Sequence, residues 1–319
     1  MRELKKTLKV CSQRLNVKLL EELASFYRLI LYKPLRSDIS FYFATIYLTE
    51  FVRISNKMKF ATLLTDFTDA DGYPAVMKGV MLSITPEVYI VDLTHSIPPQ
   101  DVLQAALLLG RSAPYFPIGT VHVCVVDPGV GTQRRGIIAQ LGKQFFVGPD
   151  NGLMTLVYRK ALATKETGRI YSLENPAYRL DPVSHSFHGR DVFAPAAAHF
   201  LNGTPLENFG GEIIDPVLLH MPEPRKTENG WEGAILHIDA FGNLATTIRA
   251  EHLARKEKTH IILAGQTISG LLNTFGEGRQ GDLVVIIDSD GYLSVCVVNG
   301  SAKQALDAHV GDSVQVLFS

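Results

Sequence analysis

The first 58 residues contain no glycine, although the chain carries 26 of them. Average usage would place about four there, so the gap marks a composition boundary. Cysteine is scarce too: Cys11, Cys124 and Cys296 form no C-x-x-C pair, which argues against a thiolate metal cluster or a disulfide framework. Two of the three lie in apolar, strand-like runs, where a free thiol acts as a small core residue, and this usage favours a reducing cytoplasm. No apolar run reaches the roughly 18 residues of a membrane span, and no leader with a small-residue cleavage site opens the chain. A net charge of −1 and a pI near 6.8 provide no global field for a polyanion, so nucleic acid is not an expected partner. No Gly-x-Gly loop follows the first strand-like run, which counts against a methyltransferase. His95, His122 and His185 lack a ligand spacing, and His185 with His188 is a weak pair, so no metal is expected.

What is present divides the 319 residues unevenly. Residues 1 to 58 carry 11 Lys and Arg against 5 Asp and Glu, leaving 20 against 27 for the rest. Leu15, Leu19, Leu23, Phe26 and Ile30 have helical spacing, and the aromatic run Phe41 to Phe51 is too short to cross a bilayer. Met58 directly precedes the first strand-like run. The expectation is that translation starts at Met58 and that residues 1 to 57 are upstream sequence or a lineage-specific appendage. A helical hairpin packed on the core is the alternative.

Residues 59 to 219 read as an α/β domain with a largely parallel sheet, because strand-like and helical runs alternate: Ala61 to Thr65, Val76 to Ile84, Val88 to Val91, Val102 to Phe116 and Gly119 to Val126. Gly136 to Leu141 and Gln144 to Val147 follow as strands, and Leu153 to Lys160 as a helix. Residues 220 to 231, polar and proline-bearing, read as a linker. Residues 232 to 319 carry short strands with turn punctuation: Gly233 to Ile238, Leu244 to Ile248, Thr259 to Leu263, Leu283 to Ile287, Leu293 to Val298 and Ser313 to Phe318. Few helical patterns interrupt them, so an all-β barrel or sandwich is expected.

The most informative stretch is Val126-Asp127-Pro128-Gly129-Val130-Gly131-Thr132-Gln133-Arg134-Arg135. An apolar strand ending in an acid, glycines and arginine lets backbone approach a ligand while fixed charges point into the same space. Asp66, in Thr65-Asp66-Phe67, His95 and Asp127 each fall at or just after a strand end, where open α/β sheets place ligands. Ser186-Phe187-His188-Gly189-Arg190-Asp191 opens a small-residue helix. Together with Asp239-Ala240-Phe241-Gly242-Asn243 and Ser289-Asp290-Gly291-Tyr292-Leu293, these motifs, in order from about Lys59 to the C-terminus, resemble the S-adenosylmethionine hydroxide adenosyltransferase family. That family is kin to enzymes attacking the same sulfonium with fluoride or chloride.

The resemblance implies an α/β N-domain, a β-barrel C-domain and hydrolysis of S-adenosyl-L-methionine to adenosine and methionine, with no further cofactor. It maps a water-activating triad onto Asp127, Arg134 and His188, leaving open whether Asp127 or His188 takes the proton. Spacing from the aspartate favours Arg134 over Arg135. Asp66 is the candidate for the ribose diol, since a carboxylate offers two acceptor oxygens, with Asp69 and Asp71 as nearby competitors. Asp239 is matched to the methionine ammonium, Phe241 to the face of the base, Asn243 to the adenine edge, Ser289 to the methionine carboxylate and Asn299 to backbone contacts with the base. Asp290 departs from the halogenating relatives, which carry arginine beside the serine. The resemblance also implies a homotrimer with sites between the N-domain of one subunit and the C-domain of the next. Halide transfer and a non-catalytic ligand-binding module are the competing readings. A carboxylate would repel a bare halide, and the chain is short between Gly136 and Pro149, lacking the loop inserted in fluoride-using relatives.

Overall fold

The computed structural model describes residues 58–166, 168–253 and 259–318. Lys59–Ser319 forms one compact unit; the expectations for Leu15 to Ile30 and Phe41 to Phe51 lie outside the described residues. The chain runs β1 (Lys59–Thr65), α1 (Tyr73–Ile84), β2 (Val88–Thr94), α2 (Val102–Ser112), β3 (Val121–Val125), β4 (Gly136–Leu141), β5 (Gln144–Pro149), α3 (Thr155–Ala163), β6 (Gly168–Ser172) and α4 (Ala194–Leu201). The sheet order is β2-β1-β3-β5-β4-β6. β2, β1, β3 and β5 are parallel, and β4 runs against both its neighbours.

Both faces of this sheet are covered, which is why its central strands read as continuous apolar runs. Leu63, Val123 and Val125 share one core with Met77 and Met81 of α1 and Ala196, Ala197 and Ala198 of α4. The alternating residues Leu64, Cys124 and Phe146 share the other with Leu109 of α2 and Val157 and Ala161 of α3. Alanines let α4 approach the sheet closely; larger side chains there would overpack it. Cys124 is fully buried, and burial pushes its thiol far above the ordinary range, so it is an inert core residue.

The C-terminal strands are β7 (Arg225–Thr227), β8 (Gly230–Ile238), β9 (Leu244–Arg249), β10 (Thr259–Leu263), β11 (Gln266–Ser269), β12 (Leu283–Ile287), β13 (Tyr292–Val297) and, after α5 (Ala302–Leu306), β14 (Ser313–Phe318). They form an antiparallel sheet ordered β11-β10-β14-β8-β9-β13-β12. A bridge between Leu272 and Ile286 brings its two ends near each other, so the barrel is almost closed. Ile235, Leu244, Val285, Val295 and Val316 fill it.

Differences from the sequence expectations have local causes. α2 stops at Ser112 rather than Phe116, and Ala113–Tyr115 tightens into a 3-10 turn. Pro114 has no N–H to donate back to Gly110, which ends the α-helix there. A five-residue π turn, Gly189–Phe193, precedes α4. Inside the stretch expected as a linker, β7 pairs with β8 and Met221 is buried with Leu107 and Leu236. β6, β11 and α5 are short and were not expected. Among the described residues, no helix is long and apolar enough to cross a membrane.

α2 also joins the two sheets. Near its start, Gln104 donates from Nε2 to the Leu236 carbonyl at 3.2 Å and contacts His237 Nδ1 through Oε1 at 2.6 Å. Near its end, Arg111 meets Asp290 at 3.4 Å. The barrel end beyond Ile238 therefore points the same way as the start of α2, toward the C-terminal edge of the parallel sheet.

Candidate active site

Asp66 follows β1 and Asp127 follows β3, adjacent parallel strands in the register Thr65↔Val125. Both acids therefore leave the same sheet edge side by side. The loop from Asp127 to Arg135 crosses the end of β5 to reach β4, two places along the sheet. Asn151 holds the near end by donating from Nδ2 to the Val126 carbonyl at 2.8 Å, and Asp150 N–H holds the far end on the Arg135 carbonyl at 2.9 Å.

Arg134 turns back onto Asp127. Its Nε donates to Oδ1 at 2.9 Å and Oδ2 at 3.0 Å, and its Nη2 donates to Oδ2 at 2.5 Å. The same Nη2 lies 2.7 Å from His188 Nδ1. The pair is well buried, with side-chain exposures of 12% for Arg134 and 5% for Asp127. The guanidinium also lies over the Phe193 ring, 5.2 Å from its centroid. A guanidinium can only donate, so Nδ1 must accept and the neutral imidazole carries its proton on Nε2. Burial first, then the Arg134 charge, hold the His188 pKa below its ordinary value, against the opposing pull of Asp127, Asp191 and the Ser184 carbonyl. His188 is therefore neutral at pH 7.

Arg135 does different work. It bonds Asp150 through Nε at 2.8 Å, and Asp215 through Nη1 to the carboxylate and Nη2 to the carbonyl, both at 2.8 Å. It clamps the loop to the segment after α4 and has no part in the cluster around Asp127.

Gly131 brings the loop of Arg134 against that of His188. Its φ is +75°, and a Cβ there would stand 2.3 Å from the His185 carbonyl oxygen. Gly131→Ala is thus expected to cost at least about 1–3 kcal/mol from left-handed strain alone, with the backbone clash adding to it. It should also separate Arg134 from His188. Denaturant unfolding together with the pH titration of His188 would check both effects.

Asp66 accepts from Gln100 N–H at 2.8 Å through Oδ2. Its other oxygen has no hydrogen-bond partner among the described residues. Asp69 and Asp71 lie farther along the loop and are exposed. An aromatic trio that the sequence reading did not identify joins the Asp66 and His188 loops: Phe67, Tyr73 and Phe187 meet edge-to-face with centroids 5.0 to 5.9 Å apart. Gly189 makes room for it, since a Cβ there would sit 3.1 to 3.3 Å from Met77, Phe187 and Phe67. His95 is buried, with Nδ1 2.9 Å from Thr65 Oγ1, and buried His122 stacks on Phe146.

In the barrel, Asp239 organises the β8–β9 turn. Its Oδ1 accepts from the N–H groups of Phe241 at 2.9 Å and Asn243 at 2.8 Å, and its Oδ2 from Asn243 Nδ2 at 2.8 Å. Gly242 has φ +82° and leaves no room for a Cβ against Ser301 Oγ, and its carbonyl accepts from Lys303 N–H at 2.9 Å. That contact places the turn beside Asn299, itself left-handed at φ 55° and exposed. Phe241 is 77% exposed.

Among the described residues, Ser289 makes no hydrogen bond to this group. The register pairs Leu244 with Val295 and Arg249 with Tyr292, so Asp239 to Asn243 and Asn299 share one end of β13 while Ser289 lies off the other. Its neighbour Asp290 is engaged with Arg111. Among the described residues, no hydrogen bond or ion pair links the Asp127 cluster to the Asp239 cluster.

The fold and site define a two-domain protein: an α/β sheet with an acid, guanidinium and imidazole at its strand ends, followed by a β-barrel that carries a second polar turn. The chain belongs to the SAM hydroxide adenosyltransferase family, matching the N-terminal domain of that family over residues 61–210 and the C-terminal domain over residues 233–315. It is 41% identical to the (R)-S-adenosyl-L-methionine hydrolase of Thermus thermophilus, over 80% of this chain and 98% of that one. It is 36% identical to the protein of the same name in Salinispora tropica, over 79% and 95%. A crystal structure of a conserved Thermotoga maritima protein superposes with a TM-score of 0.74 at 33% identity, covering 81% of this chain and 99% of the other.

Proposed function

We propose that the chain hydrolyses S-adenosyl-L-methionine to adenosine and methionine by attack of water on the ribose 5′ carbon. The observation that carries this reading is the hydrogen-bonded chain Asp127–Arg134–His188 at the C-terminal sheet edge. The names of the relatives support it. As the new C–O bond forms, the C5′–S bond breaks and its electron pair stays on sulfur, so methionine leaves as a neutral thioether. No acid is needed for departure. The nucleophile is the weak partner and must be held in line.

Asp127 would orient the water and accept its proton. Attack by neutral water yields a protonated alcohol, a far stronger acid than a carboxylic acid, so even a carboxylate tied to Arg134 is base enough. Arg134 would stabilise hydroxide character on oxygen without being consumed as an acid. The hydrogen bonding supports Asp127 over His188 as proton acceptor, because Nδ1 of the imidazole is occupied by Arg134 and Nε2 already bears a proton. His188 would hold the guanidinium.

Asp66 would bind the ribose diol, while Asp239, Phe241, Asn243 and Asn299 would take the ammonium and the base. Ser289, next to Asp288, whose charge acts on the same His237 and Cys296 as that of Asp239, would help hold the methionine carboxylate. The exposure of Phe241 and the lack of contact between the two clusters support a homotrimer whose sites pair the sheet edge of one subunit with the barrel turn of the next. Buried thiols suit a cytoplasmic protein.

The test is incubation with each sulfonium epimer of S-adenosylmethionine in labelled water, in halide-free and chloride buffers. We expect adenosine carrying oxygen-18 and methionine in both buffers, with the (R) epimer consumed faster. 5′-Chloro-adenosine would move the chain to halide transfer, and bound but unconverted substrate to a binding module.

A further inference from the structure

We propose that Asp191 is the residue that positions His188 against Arg134, a role resting on the functional reading above only for its effect on turnover. Asp191 is 1% exposed, and its backbone and carboxylate close the segment holding His188. Its N–H donates to the Phe187 carbonyl at 3.1 Å, and its own carbonyl accepts from Leu180 N–H at 2.8 Å. Its Oδ2 accepts from Ser184 N–H at 2.8 Å. Ser184 Oγ in turn accepts from Phe187 N–H at 3.1 Å. One side chain therefore fixes the stretch from Ser184 to Phe187, which carries the His185 carbonyl pressed against Gly131 and leads directly into His188.

The π turn gives this carboxylate its direction. Residues Gly189–Phe193 are wound more loosely than an α-helix, a device often found where a helix must redirect a side chain. Here Asp191 points back under the His188 loop. Arg190 closes the pair from the solvent side, with Nε on Oδ1 at 2.5 Å and Nη2 on Oδ2 at 3.0 Å. Burial alone would raise the pKa of Asp191, but the bonds from Arg190 and Ser184 outweigh it and keep the carboxylate ionised. The charges acting on His188 are then Arg134 and Asp127 from the loop after β3, and Asp191 from its own segment. From α1, uncharged Met77 packs beside Gly189.

Two variants separate positioning from bulk stability. Asp191→Asn keeps an oxygen for Ser184 N–H but turns an amide donor toward Arg190 and removes a charge that favours imidazolium. Arg190→Gln, at an exposed side chain, leaves Asp191 in place and unmasks its charge. With histidine-labelled protein and His188→Ala to assign the signal, NMR titration should show the His188 pKa rising in both variants. In Asp191→Asn, release from burial and from Arg134 outweighs the lost Asp191 charge; in Arg190→Gln, the unmasked Asp191 charge acts on a ring left in place. A fall in Asp191→Asn would mean that Asp191 acts by charge alone and would overturn the proposal. This readout needs no substrate, so it stands even if the wild type fails to hydrolyse S-adenosylmethionine. Where it does hydrolyse, Asp191→Asn should lower kcat by about 10²-fold, the cost of a misplacement near 1 Å, with little change in KM. The loss should vanish in a His188→Ala background. A His188 titration unchanged in both variants, or an undiminished kcat in a folded Asp191→Asn, would overturn the proposal. If Asp191→Asn does not fold, an unshifted titration in Arg190→Gln overturns it alone.

Discussion

Replacing Asp127 with Asn is expected to reduce kcat for S-adenosylmethionine hydrolysis by about 10³-fold, within the range that loss of a general base produces, while KM stays close to wild type. Two losses combine. The amide cannot take the proton as the C–O bond forms. It also turns an N–H₂ group toward either Nε or Nη2 of Arg134, where the carboxylate accepts from both, so the two-pronged grip is broken. The guanidinium is then free to leave His188. Substrate affinity should survive because the groups proposed for ribose, base and ammonium lie elsewhere. Steady-state kinetics on adenosine release, with a melting curve to confirm folding, decides the matter. Turnover equal to wild type would remove Asp127 from the chemistry and leave the cluster a structural ion pair.

The kinetic split also tests how the three groups divide the work. If His188 were the base, Asp127→Asn would disturb turnover only through geometry. The structure argues otherwise, because the only lone pair of neutral His188 points at Arg134. Protonating that nitrogen replaces an acceptor with a donor facing a guanidinium, and the cluster should open. Activity is accordingly expected to depend on His188 remaining neutral, which burial and the Arg134 charge secure.

The Asp127 to Arg135 loop was legible in the sequence because its parts are consecutive: strand, acid, two glycines, two arginines. Choosing between Arg134 and Arg135 rested on the family spacing, and the structure supplies the physical reason, since Asp150 and Asp215 already occupy Arg135. Asp191 stood in a quoted motif yet drew no role. Nothing in a linear string shows that it folds back seven residues to Ser184, because that depends on a π turn no periodicity announces. Ser289 shows a different limit. Its neighbours read as a turn, and they are one, but which end of the barrel a turn occupies is set by strand register across β9 and β13. The aromatic trio was hidden for a similar reason: Phe67, Tyr73 and Phe187 are scattered in sequence and meet only through packing. β7 was missed because Arg225, Lys226 and Thr227 have no apolar alternation, and only pairing with β8 makes them a strand.

Co-expression of two inactive chains should restore activity, and by a calculable amount. Asp127→Asn damages the sheet-edge cluster only. Asp239→Asn keeps an oxygen for the Phe241 and Asn243 N–H groups, and Asn243 can turn its amide to suit, so the β8–β9 turn should persist. What it loses is the charge proposed for the substrate ammonium, worth about 1.5–3 kcal/mol as a charge-assisted bond, or roughly 10- to 100-fold in kcat/KM. If each site pairs the sheet edge of one subunit with the barrel turn of the next, an intact site forms whenever an Asp239→Asn chain lends its edge to an Asp127→Asn chain. Random assembly from equal amounts makes about one site in four intact. Activity below KM should then rise to about a quarter of wild type, well above either variant alone. A site built within one chain cannot be rescued this way, because every chain carries one lesion, and the mixture would show only the average of its two components. The exposed ring of Phe241 points to rescue.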